Sequence, residues 1–127
     1  MLREGPIPRT VHGAVEYLLG VVFLGGPILL NFESTVATGV SIAIGILVLV
    51  NTAITAGMPT SLVKQLAITA HVTVDMVLSV FLIVAPFVLG FAGETAPRNF
   101  YMILGVGLLL MTIGTKFREP SQRPTPP

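Results

Sequence analysis

Cysteine is absent from this 127-residue chain, and charged residues make up only 10% of it. Without cysteine there are no disulfides, thiolate metal sites, iron–sulfur clusters or thiol-based redox relays. A net charge of +1 gives no general attraction for nucleic acid. The sequence also lacks a glycine-rich phosphate loop, a His-Glu-x-x-His pattern and a serine with a suitable base and acid. We therefore predict no catalytic residues and favour a protein that is not an enzyme.

Apolar residues dominate instead, at 53% of the chain with a mean hydropathy of +0.89. They form four runs, at about residues 9–30, 36–56, 63–91 and 99–116, each long enough for a helix that crosses a bilayer. Residues 1–8 are a lead-in with two prolines, and the proline-rich tail 117–127 is expected to be disordered. The first run lacks a cleavage pattern, so we expect it to be retained.

Basic residues predict the orientation of these helices. Six lie on the side of the termini and the middle loop, and only Arg98 lies on the opposite side; the six are Arg3, Arg9, Lys64, Lys116, Arg118 and Arg123. Because basic residues accumulate in cytoplasmic segments, both termini are expected in the cytoplasm.

The chain contains an internal repeat. A shift of 59 residues aligns 10–32 with 69–91, with eight of 23 positions identical, among them His12/His71, Pro27/Pro86 and Phe32/Phe91. A shift of 60 then aligns Gly45/Gly105, Leu49/Leu109, Thr52/Thr112 and Thr55/Thr115. We divide the chain into repeats 9–58 and 59–116, each a helical hairpin of the same orientation. The predicted fold is all-α: a polytopic membrane four-helix bundle of two parallel-repeat hairpins.

The end of the first helix of each repeat carries a family resemblance. The segments Gly-Pro-Ile-Leu-Leu-Asn-Phe (26–32) and Ala-Pro-Phe-Val-Leu-Gly-Phe (85–91) resemble those of the SPW-repeat integral membrane proteins of bacteria. Both copies have the proline and the trailing phenylalanine, and neither has the serine or tryptophan of Ser-Pro-Trp. The resemblance implies a multi-pass protein of the bacterial plasma membrane without an established enzymatic role. Four-helix DoxX-like proteins are similar in helix count alone.

Two pairs of titratable residues lie within predicted spans. His12 and Glu16 are four residues apart, as are His71 and Asp75, so each pair shares a helix face. The repeat places both pairs at one depth, and ionisable groups in lipid turn inward to find partners. We therefore predict an intramembrane polar cluster near the cytoplasmic end, completed by Asn51, Thr52, Thr55, Thr73, Thr112 and Thr115.

Three interpretations of this cluster remain open. The one we favour is structural, with each histidine bonded to a carboxylate so that the cluster fixes helix register in a membrane module that is structural or binds a partner. The second is a redox component in which His12, Glu16, His71 and Asp75 bind a divalent metal, or the two histidines bind a haem. The third is proton or ion handling, against which the apolar outer part of the spans counts.

Other features have structural interpretations. Pro27 and Pro86 are expected to bend the first and third helices at matched heights. Tyr17, Phe100 and Tyr101 are candidate interfacial anchors, and Tyr17, which is adjacent to Glu16 in the sequence, is alternatively a hydrogen-bond donor to that carboxylate. Glycines are expected to allow close helix packing, at Gly20, Gly39, Gly45, Gly90, Gly105 and Gly107. Expected partners are the lipid bilayer and either a second copy of the chain or another membrane protein.

Overall fold

The structure, a computed structural model, describes residues 6–55, 62 and 66–116. Each of its four helices has 20 or 21 residues and is apolar enough to cross a membrane. Because 20 helical residues rise about 30 Å, each helix matches the hydrocarbon thickness. The predicted all-α four-helix architecture is confirmed. The elements are β1 (Ile7–Pro8), α1 (Arg9–Leu29), α2 (Thr35–Ile54), α3 (Ile68–Val88), α4 (Thr95–Gly114) and β2 (Thr115–Lys116).

Small residues set the packing within each hairpin. In the first hairpin, a Cβ atom added to Gly45 of α2 would lie 2.8 Å from the carbonyl oxygen of Gly20 in α1. In the second, a Cβ atom on Gly105 of α4 would lie 3.0 Å from the carbonyl oxygen of Ser79 in α3. Ser79 and Gly105 are the repeat equivalents of Gly20 and Gly45, so both hairpins pack in the same register.

The prediction of close packing is wrong for the other glycines. A Cβ atom at Gly39, Gly90 or Gly107 would meet nothing within 4 Å. Gly90 has a different role, because its φ of +84° lies in the left-handed region that glycine adopts without strain.

Proline and phenylalanine close α1 and α3 with the same motif. The N–H of Phe32 donates to the carbonyl of Pro27, and the N–H of Phe91 donates to that of Pro86, both at 2.9 Å. The residue before each phenylalanine has a left-handed backbone conformation, with a φ of 53° at Asn31 and 84° at Gly90. This is the Schellman motif, in which the N–H of the residue after the left-handed one donates to a carbonyl five residues earlier, in the last turn of the helix. The motif explains why both repeats carry this proline and this phenylalanine.

Two helices begin at residues other than those predicted. The helix α4 starts at Thr95 instead of about residue 99, because Pro97 lies in the first turn, where an N–H has no helical acceptor to lose. The helix α3 starts at Ile68 instead of about residue 63 and ends at Val88 instead of 91. Its start is delayed because the N–H of Leu66 donates to the carbonyl of Ile54.

Several predictions fall on residues outside the described ranges. These are part of the lead-in, the boundary between the repeats and the C-terminal tail, together with Arg3, Lys64, Arg118 and Arg123.

Short extended segments link the helix ends on one side of the bundle. Ile7 pairs with Thr115 and Pro8 with Lys116 in a parallel ladder, and Thr55 forms a parallel bridge with Leu66. These pairings are repeat equivalents, since Ile7 corresponds to Leu66 and Thr115 to Thr55. Each hairpin therefore ends beside the segment that enters the other hairpin.

The opposite side of the bundle is filled by aromatic residues. Phe23 of α1 contacts both Phe100 and Tyr101 of α4 edge-on, at centroid distances of 5.2 and 6.1 Å. The hydroxyl of Tyr101 donates to the carbonyl of Ala37 at 2.8 Å and accepts from Ser41 at 2.9 Å. Tyr101 is fully buried, so the prediction that it is an interfacial anchor is wrong. Ser41 and Tyr101 are repeat equivalents that meet where the two hairpins adjoin.

The glycine contacts predict a difference between two alanine variants of α2. Gly45→Ala forces the backbones of α1 and α2 apart and is expected to lower the free energy of unfolding by about 1–3 kcal/mol. Gly39→Ala adds a methyl group to open space and is expected to leave stability unchanged or slightly raised. Thermal unfolding in detergent measures both variants. Equal stability of the two would contradict the packing described here.

Candidate functional site

The two histidine and acid pairs meet between the hairpins. His12 and Glu16 lie on α1, His71 and Asp75 lie on α3, and all four side chains are at most 1% exposed. The Nε2 atom of His12 is 3.3 Å from Oε2 of Glu16 and 3.1 Å from Oδ2 of Asp75. The Nε2 atom of His71 is 2.7 Å from the same oxygen of Glu16 and 3.0 Å from that of Asp75. The four atoms form a closed ring in which nitrogen and oxygen alternate; we call these residues the quartet.

Threonines fix the far side of each imidazole. The hydroxyl of Thr115 donates to the carbonyl of Met111 at 2.6 Å and lies 2.8 Å from Nδ1 of His12. The hydroxyl of Thr55 likewise donates to the carbonyl of Asn51 and lies 2.6 Å from Nδ1 of His71. Because a hydroxyl has a single hydrogen, each threonine oxygen must accept the proton of Nδ1. Both Nδ1 atoms are therefore protonated, and each Nε2 atom faces the carboxylates.

The remaining predicted residues differ in their contacts. The hydroxyl of Thr52 donates to Oε2 of Glu16 at 3.2 Å, and the amide of Asn51 approaches Oδ1 of Asp75 at 3.5 Å. Thr112 is buried near the same depth, but its hydroxyl has no hydrogen-bond partner. Thr73 does not belong to the cluster, because its side chain is exposed and bonds to the carbonyl of Thr69.

The two prolines that were candidates for helix bends lie near helix ends. Pro27 and Pro86 lie in the last turns of α1 and α3.

The sequence patterns did not indicate one contact of Glu94. Its carboxylate accepts the backbone N–H groups of Glu33 and Ser34 at 2.7 and 2.9 Å, joining the turns at the end of the bundle away from the quartet. Alignment of the repeats contains a signal for this contact, because Ser34 and Glu94 are equivalent positions.

The family model of the SPW repeat domain matches residues 10–115. This chain belongs to the SPW repeat family. Neither curated protein sequences nor solved structures yield a match. Family membership together with four apolar helices of membrane-spanning length makes this SPW repeat protein a multi-pass membrane protein.

The matched region of the SPW repeat protein contains the entire quartet together with both supporting threonines. The charges of the two carboxylates determine what the quartet can bind. Two adjacent carboxylates in an apolar bundle require two compensating positive charges, since unpaired buried charge is strongly unfavourable. Two protonated imidazoles supply them, as does one divalent cation bound by two neutral imidazoles.

Removing one member of the quartet is expected to destabilise the SPW repeat protein. His71→Ala leaves two carboxylates facing each other with one histidine, and should lower the free energy of unfolding by about 3–5 kcal/mol. Thr73→Ala, on the exposed face of the same helix, serves as the matched control and should change it by less than about 0.5 kcal/mol. Thermal unfolding in mild detergent distinguishes the two. A loss for His71→Ala no larger than that of the control would show that the quartet contributes nothing to folding.

Proposed function

We propose that this membrane protein binds one divalent transition-metal ion through His12, Glu16, His71 and Asp75. The observation that carries the proposal is the convergence of one donor atom from each of these four buried residues to within 4.8 Å of one another. Metal-binding sites of helical bundles are built in the same way, from inward-facing side chains on facing helices.

The donor types indicate the class of metal. Two imidazole nitrogens and two carboxylate oxygens suit zinc, iron, cobalt and similar divalent ions, whereas magnesium and calcium prefer oxygen alone. Tetrahedral ligands at zinc distances lie about 3.3 Å apart. The four nitrogen–oxygen distances of the ring are 2.7 to 3.3 Å, and no two of the four donor atoms lie more than 4.8 Å apart.

Two further observations support a metal. The Nδ1–H bonds to Thr55 and Thr115 leave both Nε2 atoms directed at the centre of the ring, and metal-binding histidines are commonly oriented by such a hydrogen bond from their other ring nitrogen. Oxygen Oε1 of Glu16 is buried without a hydrogen-bond partner, a defect that a bound cation would offset.

A haem fits this site poorly. A porphyrin bound by both histidines would lie between their Nε2 atoms. Carboxylate oxygens of Glu16 and Asp75 fill that space, each within 3.3 Å of both nitrogens.

The second candidate is a structural membrane module, or one that binds a partner, in which the quartet only fixes helix register. The hydrogen-bond spacing of the ring favours it, because two imidazolium and two carboxylate groups satisfy one another without an ion. No contact among the described residues favours proton or ion handling specifically.

We also propose a location in the bacterial plasma membrane with both termini cytoplasmic. The bias in basic residues supports this orientation. The pairing of Ile7–Pro8 with Thr115–Lys116 agrees with termini on one side. Exposed leucine, isoleucine and valine side chains on all four helices suit contact with lipid, a second copy or another membrane protein.

Metal analysis of the protein purified in mild detergent tests the metal proposal. We expect about one divalent ion per chain, no Soret band, and uptake of one Co²⁺ with visible d–d absorption after the native ion is removed. Glu16→Gln, which keeps the side-chain volume but removes the charge, is expected to lose most Co²⁺ binding. Thr73→Ala is the control and should bind Co²⁺ as the unmodified chain does.

The outcomes separate the two candidates. A folded protein that contains no metal and takes up no Co²⁺ would reject the metal proposal. If such a protein still loses stability on His71→Ala, the quartet has the structural role alone.

Orientation can be tested with single cysteines, because the chain has none of its own. Gly93→Cys lies in the turn before α4, and Leu62→Cys replaces a side chain that is 81% exposed on the opposite side. A membrane-impermeant maleimide should label Gly93→Cys in spheroplasts and Leu62→Cys only after permeabilisation. The reverse pattern would place the termini outside the cytoplasm.

A further inference from the structure

The quartet lies near one end of the bundle. His12 and His71 are each the fourth residue of their helix, so each lies about 5 Å along the helix axis from its start. From His12, α1 continues to Leu29, about 26 Å further on, past the buried side chains of Leu19 and Phe23. The transfer of a divalent ion through this apolar interior, or through lipid, is strongly unfavourable. An ion must therefore reach and leave the quartet through the near end.

Two links between the hairpins cover the near end. In one link Thr55 bridges to Leu66, and in the other Thr115 pairs with Ile7. Both threonines are 0% exposed, and the hydroxyl of each contacts Nδ1 of a histidine, on the far side of the ring from Nε2. Each link therefore lies between one imidazole of the quartet and the water at this end of the bundle.

The two links differ in how firmly they are held. The strands β1 and β2 pair over two residues, and Ile7 of β1 also packs against the end of α4, where a Cβ atom added to Gly114 would lie 3.4 Å from Cδ1 of Ile7. The bridge between Thr55 and Leu66 is isolated, and the N–H of Leu66 donates to the carbonyl of Ile54 at 2.7 Å. A single pairing is lost more easily than two, so the Thr55–Leu66 link is the one that opens more readily.

We propose that the Thr55–Leu66 link is the gate through which a divalent ion enters and leaves the quartet. This inference rests on the proposed function. When the link opens, the hydroxyl of Thr55 leaves Nδ1 of His71, and this side of the quartet faces water. The bond between Leu66 and Ile54 contacts none of the four ligands. Weakening that bond should therefore speed entry and exit by the same factor and leave the affinity for the ion unchanged.

Leu66→Pro tests the gate, because it removes the N–H that donates to Ile54 and leaves every ligand in place. Uptake of Co²⁺ by the metal-free full-length protein in detergent is followed by its d–d absorption, and release by replacement with excess Zn²⁺. Both rates should rise roughly two- to tenfold, while the Kd for Co²⁺ changes by less than about twofold.

Ala67→Pro is the matched control, one residue further along the chain. The φ of Ala67 is −63°, which proline adopts without strain, and the equivalent residue of the other link is Pro8. This variant should exchange Co²⁺ at the rates of the unmodified chain. Equal acceleration by the two proline substitutions would overturn the gate.

A second experiment covers the case in which Leu66→Pro does not fold. Pro8→Cys combined with Lys116→Cys places two cysteines at paired positions of the other link, within the Cα spacing that a disulfide spans. The oxidised form should exchange Co²⁺ as fast as the same variant reduced with a phosphine, because the ion passes the Thr55–Leu66 link. If the disulfide slows exchange, the ion passes the other link and the proposed gate is overturned.

The failures of the two proposals are distinguishable. If the unmodified protein binds no Co²⁺, the proposed function fails and the gate fails with it. If Co²⁺ binds but Leu66→Pro changes neither rate, or only lowers the affinity, the gate alone is overturned.

Discussion

The bundle is organised by the need to keep four ionisable side chains out of lipid. A charged group exposed to hydrocarbon is unfavourable by several kcal/mol, so each member of the quartet must find a partner inside the protein. Those partners belong to the other hairpin as well as to its own, because each Nε2 atom contacts both Glu16 and Asp75. The same interaction therefore joins the hairpins, sets their relative height and assembles a cluster of potential metal ligands.

The repeat turns one set of interactions into two. Each hairpin has the same glycine contact between its helices and the same Pro–Phe motif at the end of its first helix. Each also has the same threonine, whose hydroxyl bonds to Nδ1 of the histidine in the other hairpin. Departures from this symmetry give the site its chemistry. Asn51 corresponds to Met111, which has no amide to donate, and Glu16 corresponds to the shorter Asp75. One oxygen of Glu16 and the hydroxyl of Thr112 remain buried without a hydrogen-bond partner.

Sequence patterns predict the parts of this structure that depend on period and composition. Apolar runs define four helices, and the duplicated His12 and His71 indicate residues that share a depth. The pairing of Nε2 with carboxylates across hairpins depends on helix rotation, which hydropathy does not encode. The burial of Tyr101 does not follow from the sequence, because aromatic residues near the end of a span are also typical of the membrane interface. Thr73 lies near the depth of the cluster but on an exposed face of α3, so the prediction that it belongs to the cluster is wrong.

Glu16 and His71 lie on different hairpins, and their Oε2 and Nε2 atoms are 2.7 Å apart. The interaction free energy of this pair tests most directly whether the quartet joins the two halves. A double-mutant cycle of Glu16→Gln and His71→Gln, followed by thermal unfolding in detergent, isolates their interaction free energy. We expect a coupling of at least about 1 kcal/mol, within the range for residues in one buried network. Strictly additive losses of stability would contradict the contact and the account of the site that depends on it.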